Sequence, residues 1–346
     1  MTGKIEDVAS GMRRLCCSAF TVSICFAGIS GCRVLPASQP VRTEIWYVAS
    51  PIMPGVQRLR ADSTGSTGGI LLLDTTSLRP VPWRKGAPAV IGMEKGSLHL
   101  DLEVERIATF TTYRGSRYHP ESIRAITEDS AVLARFADSV ATLRPAFGTA
   151  LFLDLQQSTA TDIQSLVMFT REMSRAATAQ HIRPLGVVVP PGDTVNYPTQ
   201  ILARVADLIV VRLDGEHGPG TAPGAPVTAD FVRRELGLRS VGIGTSRLVA
   251  EFPLYGYIWT RDGAARPITF TEASTLVTSE AGSFRRDPAS QFLTASGRDG
   301  WTVWVPDQRT IQTLIDAAHT RGVDRIALSG TEGADPATIA PRAFTR

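Results

Sequence analysis

Cysteine is missing from most of this chain: the four present, Cys16, Cys17, Cys25 and Cys32, all lie within the first 32 of 346 residues. The remainder therefore excludes a disulfide framework, a thiol nucleophile and a cysteine-built metal centre. A domain without such staples must be held by core burial. The length, with 43% hydrophobic residues, suffices for one large domain or two small ones. Histidine is scarce too, and His99, His119, His181, His217 and His319 include no pair at metal-ligand spacing, so neither a metal nor a cofactor is expected. The formal net charge is only +3, with no basic footprint for a nucleic-acid partner. The long apolar run from Leu15 to Ile29 is shorter than the ~20 residues a membrane span needs.

What the N-terminus does contain is ordered. Arg13 and Arg14 precede that apolar run, which ends in the small-residue stop Ile29-Ser30-Gly31-Cys32. This is the layout of an export signal. The last four residues resemble the bacterial lipobox, which implies cleavage before Cys32 and a diacylglycerol on its thiol. Loss of residues 1 to 31, with Lys4, Arg13 and Arg14 against Glu6 and Asp7, would leave a net charge of +2. Arg33 to Thr43, with two prolines, reads as a short tether that keeps the domain near a membrane surface. Arg33 is not Asp, so in a cell with two membranes the resemblance points to the outer one, facing the periplasm or the surface.

Beyond the tether, short runs rich in Val, Ile and Leu alternate with segments of helical periodicity. Strands are expected at Glu44 to Ala49, Gly69 to Asp74, Arg106 to Tyr113, Ala150 to Leu155, Pro184 to Val189, Asp207 to Leu213, Arg247 to Tyr255 and Arg325 to Ser329. Helical faces are clearest at Leu133, Phe136, Val140 and Leu143, at Ile163, Leu166, Val167, Thr170 and Met173, and at Ile311, Leu314, Ile315 and Ala318. Eight strands with intervening helices predict an α/β fold, a (β/α)8 TIM-type barrel over residues 44–346. A doubly wound sheet is the rival, but no glycine-rich phosphate loop follows the first strand. Val90 to Leu102 reads as a hairpin turning at Lys95-Gly96, and Thr260 to Val305 as a loop-rich insertion after strand seven.

In such barrels the carboxyl ends of the strands face the ligand. Strand four ends Leu153-Asp154-Leu155-Gln156-Gln157. Strand six ends Leu213-Asp214-Gly215-Glu216-His217 before a Gly/Pro-rich loop from Gly218 to Pro226. Strand seven runs into Pro253-Leu254-Tyr255-Gly256-Tyr257-Ile258-Trp259, and Val303-Trp304-Val305-Pro306-Asp307 precedes the last helix. In this order and spacing the motifs resemble glycoside hydrolase family 18, the chitinase-like barrels, and within it the spore-wall peptidoglycan hydrolase branch. The match is by motif over about Ala150 to Pro336, and by pattern alone over Glu44 to Pro145.

The resemblance implies a site. Its strand-four pattern D-x-x-D-x-D-x-E needs a carboxylic acid to protonate the glycosidic oxygen and an Asp to orient the substrate's acetamide. Asp154 falls on that orienting position, Gln156 on the acid, and Thr149 and Phe152 on the two earlier Asp positions. An amide has no acidic proton to deliver near neutral pH. Leu213 stands for the acetamide-holding tyrosine and Ser329 for the tryptophan floor. Asp214, Glu216, Tyr255, Tyr257 and Trp259 are the implied sugar-binding side chains, by carboxylate hydrogen bonds and ring stacking. Asp154 is also open to capping a helix or pairing with a cation, the two tyrosines to serving as core, and Trp301 and Trp304 to plain packing. The expectation is a lipid-anchored domain that binds a polysaccharide or peptidoglycan glycan with little or no hydrolysis. Two alternatives stand beside it: a divergent glycosidase using Glu216 or Glu332 as acid, and a protein-interaction scaffold at the membrane.

Overall fold

The computed structural model describes residues 43–48, 70–74, 79–82, 107–113, 117–142, 150–331 and 333–339. Cys32 and the segment before it, most of the tether, the Val90 to Leu102 hairpin, Leu143, Thr149 and Glu332 lie outside the described residues.

The strands follow one another as β1 (Glu44–Val48), β2 (Ile70–Asp74), β3 (Arg79–Pro82), β4 (Ile107–Thr111), β5 (Ala150–Asp154), β6 (Leu185–Val189), β7 (Leu208–Arg212) and β8 (Leu248–Pro253). There follow β9 (Tyr255–Trp259), β10 (Ala265–Thr269), β11 (Arg285–Arg286), β12 (Leu293–Ser296), β13 (Thr302–Val305) and β14 (Arg325–Ser329). All eight expected strands form, and they are parallel neighbours in chain order from β2 through β4, β5, β6, β7, β8 and β14 to β1. This is the α/β barrel fold expected from the strand and helix pattern. One addition was not foreseen: β3 pairs antiparallel along the free edge of β2, and no β1–β2 ladder occurs among the described residues.

Helices α1 (Pro120–Thr127), α2 (Ser130–Thr142), α3 (Ile163–Ala179), α4 (Thr199–Leu202), α5 (Ala229–Ser240), α6 (Phe270–Ser279) and α7 (Gln308–His319) connect them. Their starts are chemically marked. The Thr228 hydroxyl caps α5 by accepting from the Phe231 N–H, Thr269 and Glu272 form a capping box on α6, and Asp307 caps α7. Leu133, Phe136, Leu166, Met173, Ile311, Leu314, Ile315 and Ala318 turn inward and join the core between sheet and helices, as their spacing predicts.

Alternation along the strands separates this outer core from a second one in the barrel lumen. Trp46, Phe152, Val188, Val210, Val249 and Ala327 occupy inward positions in register and fill the lower lumen. The Trp46 and Phe152 rings meet with centroids 5.7 Å apart. Gly186 makes room for Phe152, since a Cβ there would lie 2.7 Å from its ring.

The segment after strand seven departs from expectation. It is not loop-rich: β9 to β13 form a five-stranded antiparallel sheet in the order β10-β9-β13-β12-β11, with α6 packed against it. Its strands are short and interrupted by Gly, Asp and Pro, which masked their period in the sequence. Strand seven also ends earlier than expected, at Pro253. After Leu254 the chain crosses into this side sheet, so the Tyr255 to Trp259 motif lies outside the barrel.

Candidate active site

Above the apolar layer the next inward positions are polar. Asp154 closes β5, Arg212 closes β7, and Glu251 sits opposite Arg212 on β8. They are 0%, 6% and 1% exposed. Arg212 Nη1 donates to both Asp154 oxygens at 3.1 and 3.0 Å, and its Nε donates to Glu251 Oε1 at 3.0 Å. The guanidinium also donates to the Tyr118 hydroxyl at 2.8 Å, and that hydroxyl donates to Asp154 Oδ2 at 3.0 Å. Burial, then the charge of Asp154, pushes the Tyr118 phenol far up, so it remains a donor. Asp154 thus takes the cation-pairing alternative left open by the sequence, and its carboxylate is committed to Arg212 and Tyr118.

Among the described residues Arg212 is the cation paired with both Asp154 and Glu251 in this layer. Burial raises the pKa of Glu251, with Arg212 opposing, and Glu251 Oε2 is buried without a partner. Asp214, half-buried just beyond β7, is likewise pushed up by burial against the pull of Arg212 and of the Tyr255 hydroxyl, which donates to its Oδ2 at 2.8 Å.

Gln156 stands one inward position above Asp154 and is 8% exposed, with its Nε2 unpartnered. The turn that carries it is fixed by Tyr197, whose hydroxyl donates to Leu155 O and accepts from the Ser158 N–H, both at 2.8 Å. Gln157 follows in the left-handed region at φ 62. Phe152, on an earlier Asp position of the resembled pattern, is part of the lumen plug. Ser329 faces the lumen at the end of β14, leaving a small side chain where the resemblance implies a ring floor.

Several implied sugar-binding residues are placed otherwise. Leu213 belongs to the outer core, so it does not occupy the mouth, and Arg212 is the inward residue there. Tyr255, Tyr257 and Trp259 share one face of β9, as their spacing requires, but all three are buried. Gly218 lies against the Tyr257 ring, and Trp259 Nε1 donates to Thr221 O at 3.0 Å. Their ring faces are covered by the strand-six loop and Trp304 rather than open for stacking. Glu216 is engaged structurally: its Oε2 accepts from the Thr228 N–H at 2.8 Å and ties that loop to the start of α5. Trp301 packs in the side sheet and donates to Glu280 at 2.7 Å. Asp307, the last residue of the late motif, caps α7 and pairs with Arg286.

Arg212 and Glu251 were missed in the sequence reading. The available signal was a charged residue inside each of two otherwise apolar strands, Leu-Ile-Val-Val-Arg and Leu-Val-Ala-Glu-Phe. No cluster of three or more His, Cys, Asp or Glu suited to a metal ion occurs among the described residues.

No protein-family profile and no curated protein sequence matches the chain. Solved structures do. The spore cortex-lytic enzyme SleL of Bacillus megaterium superposes with a TM-score of 0.68 at 18% identity, covering 88% of this chain and 74% of that one. A class V chitinase from Pseudomonas fluorescens gives 0.66 at 15%, covering 87% and 97%. A tobacco class V chitinase in complex with NAG4 gives 0.61 at 15%, covering 83% and 93%. With eight parallel strands in chain order and a side sheet following strand seven, this chain has the family-18-like TIM-barrel fold of chitinases and spore cortex-lytic enzymes.

Proposed function

We propose that the chain is an exported, lipid-anchored barrel that binds an envelope or extracellular polysaccharide built on N-acetylhexosamine, with little or no hydrolysis. The observation that carries this reading is the commitment of Asp154 to Arg212 beneath an amide at Gln156. Glycosidic cleavage by substrate assistance needs one carboxyl to give a proton and one to steer the acetamide. At these two positions the chain offers an amide and a carboxylate already neutralised by a guanidinium. The fold likeness to chitinases and a spore cortex-lytic enzyme, one of them bound to NAG4, supports a glycan as ligand. The motif Ile29-Ser30-Gly31-Cys32 supports the anchor.

Chitin oligomers and peptidoglycan fragments incubated with the protein should be retained without release of shorter products. Turnover at the rate of an ordinary chitinase would overturn the reading. Gln156→Glu should not restore turnover by itself, because Asp154 stays bound to Arg212. For the anchor, Cys32→Ala should move the protein from the membrane to the soluble fraction and abolish labelling by a fatty acid.

A further inference from the structure

The exposed large hydrophobic side chains among the described residues are Val195, Ile201, Leu238 and Val241, and the last three gather at one end of the barrel. Leu238 and Val241 lie one turn apart at the end of α5, 48% and 62% exposed. Gln200 Nε2 donates to Val241 O at 3.4 Å, which brings Ile201, 43% exposed, to the same place. Two exposed guanidiniums flank this patch. Arg204 follows Ile201 by one turn, and Arg321 lies over Gly237, where a Cβ would be 2.5 Å from its Nη2. Neither has a carboxylate partner among the described residues. Glu44 and Asp207, at the same end, are paired with Arg325 and Arg183, while Arg247 spends its donors on the carbonyls of Ala203, Ala206 and Asp207. Three guanidiniums therefore stand here against the carboxylate of Asp324. This is the end at which β7, β8 and β14 begin, and the chain enters the barrel beside it. The Thr43 hydroxyl meets His319 Nε2 at 3.2 Å, and the Glu44 N–H donates to Asp324 O at 3.1 Å, in the turn that carries Arg321.

Resting on the anchor reading above, we propose that this face docks on an anionic lipid bilayer, with Ile201, Leu238 and Val241 at the boundary of headgroups and acyl chains and Arg204 and Arg321 on lipid phosphates. Apolar side chains flanked by unpaired guanidiniums are what an anionic interface receives. Cys32 precedes Thr43 by eleven residues, a span of at most about 37 Å, so an anchor there draws this end of the barrel to the surface. The consequence is an orientation: the carboxyl ends of the strands point away from the bilayer.

The test is hydroxyl-radical oxidation of the full chain on phosphatidylcholine vesicles containing about 30% phosphatidylglycerol, compared with the Cys32→Ala chain in vesicle-free buffer. On the vesicles, oxidation of Ile201, Leu238 and Val241 should fall about 2-fold or more, as burial at the interface requires. Val195, 72% exposed and two residues from Tyr197, whose hydroxyl reaches the turn after β5, should be oxidised equally in both. Each guanidinium contributes roughly 5-fold to adsorption, so Arg204→Gln with Arg321→Gln should lower the docked-to-undocked ratio roughly 25-fold and restore oxidation while the protein still floats with the vesicles. Salt at about 500 mM should act in the same direction. Flotation without protection of the three side chains overturns the docking and leaves the anchor standing. Failure to float overturns both. Protection already present in vesicle-free buffer also overturns the docking: dependence on protein concentration would assign the patch to a second copy, and independence to residues 1–42 of the same chain.

Discussion

Replacing Arg212 by Met should expose how much the lumen depends on one side chain. Met fills a similar volume but leaves Asp154 and Glu251, 0% and 1% exposed, without their shared counter-charge. Removing one partner from a buried ion network costs about 3–5 kcal/mol, because the stranded carboxylates must stay charged in a poor solvent or take up protons. For a domain of roughly 300 residues the unfolding entropy is about 0.6 kcal/mol/K, so Tm should fall by about 5–8 °C. The loss should shrink as pH is lowered towards 5, where the stranded carboxyls are protonated more readily. Urea denaturation of the variant across this pH range measures both effects. Converting Asp154 to Asn and Glu251 to Gln in the same chain should recover most of the loss, since a neutral layer needs no guanidinium. A loss below about 1 kcal/mol at pH 7 would refute the reasoning. It would mean that Asp154 is solvated and free to face a ligand.

Three further outcomes follow from the same geometry. The raised pKa of Glu251 makes its contribution to stability most favourable below the ordinary carboxylate range and lost as pH rises through the folded-state value, so Glu251→Gln should flatten the fall in stability above the ordinary carboxylate range in urea titrations. Asp307 behaves oppositely. Burial opposes its charge, but Arg286 and the Thr310 N–H more than offset this and hold its pKa low. Its support is therefore present above the ordinary carboxylate pKa and lost as pH falls through the depressed one, and Asp307→Asn should cost about 1–2 kcal/mol at pH 7 and little at acid pH. At Gly256 a Cβ would lie 1.7 Å from Trp304 O, so Gly256→Ala should lower stability by about 3 kcal/mol or more. Gly218→Ala, with 3.5 Å to the Tyr257 ring, should stay within about 0.5 kcal/mol, and paired thermal melts separate the two.

The fold was legible because burial on both faces of a parallel strand writes a continuous apolar run, as in Leu-Gly-Val-Val-Val of β6 and Leu-Ile-Val-Val-Arg of β7. The side sheet was not, because strands of two to five residues carry too few periods to separate from loops. Motif order put Asp154, Gln156 and Asp214 at or just past the carboxyl ends of two strands, and there they lie, Asp154 closing β5, Gln156 two residues beyond it and Asp214 two residues beyond β7. Arg212 is not marked by the strand-six motif, which begins at Leu213, one residue on. A shift of one position turns a side chain from the lumen to the helix layer, and only the observed register decides which residue faces in. The aromatic motif on β9 failed for a related reason: its alternate spacing fixes a shared face but not whether solvent or the strand-six loop covers it.

The single residue Leu254 between β8 and β9 has a mechanical consequence. Its N–H donates to Ser329 O at 2.8 Å, so the junction is clamped to the neighbouring barrel strand. A connection this short and this firmly tied leaves no hinge between the barrel rim and the wall raised beside it. The side sheet should therefore move with β8 and β14 as one body and not swing against them.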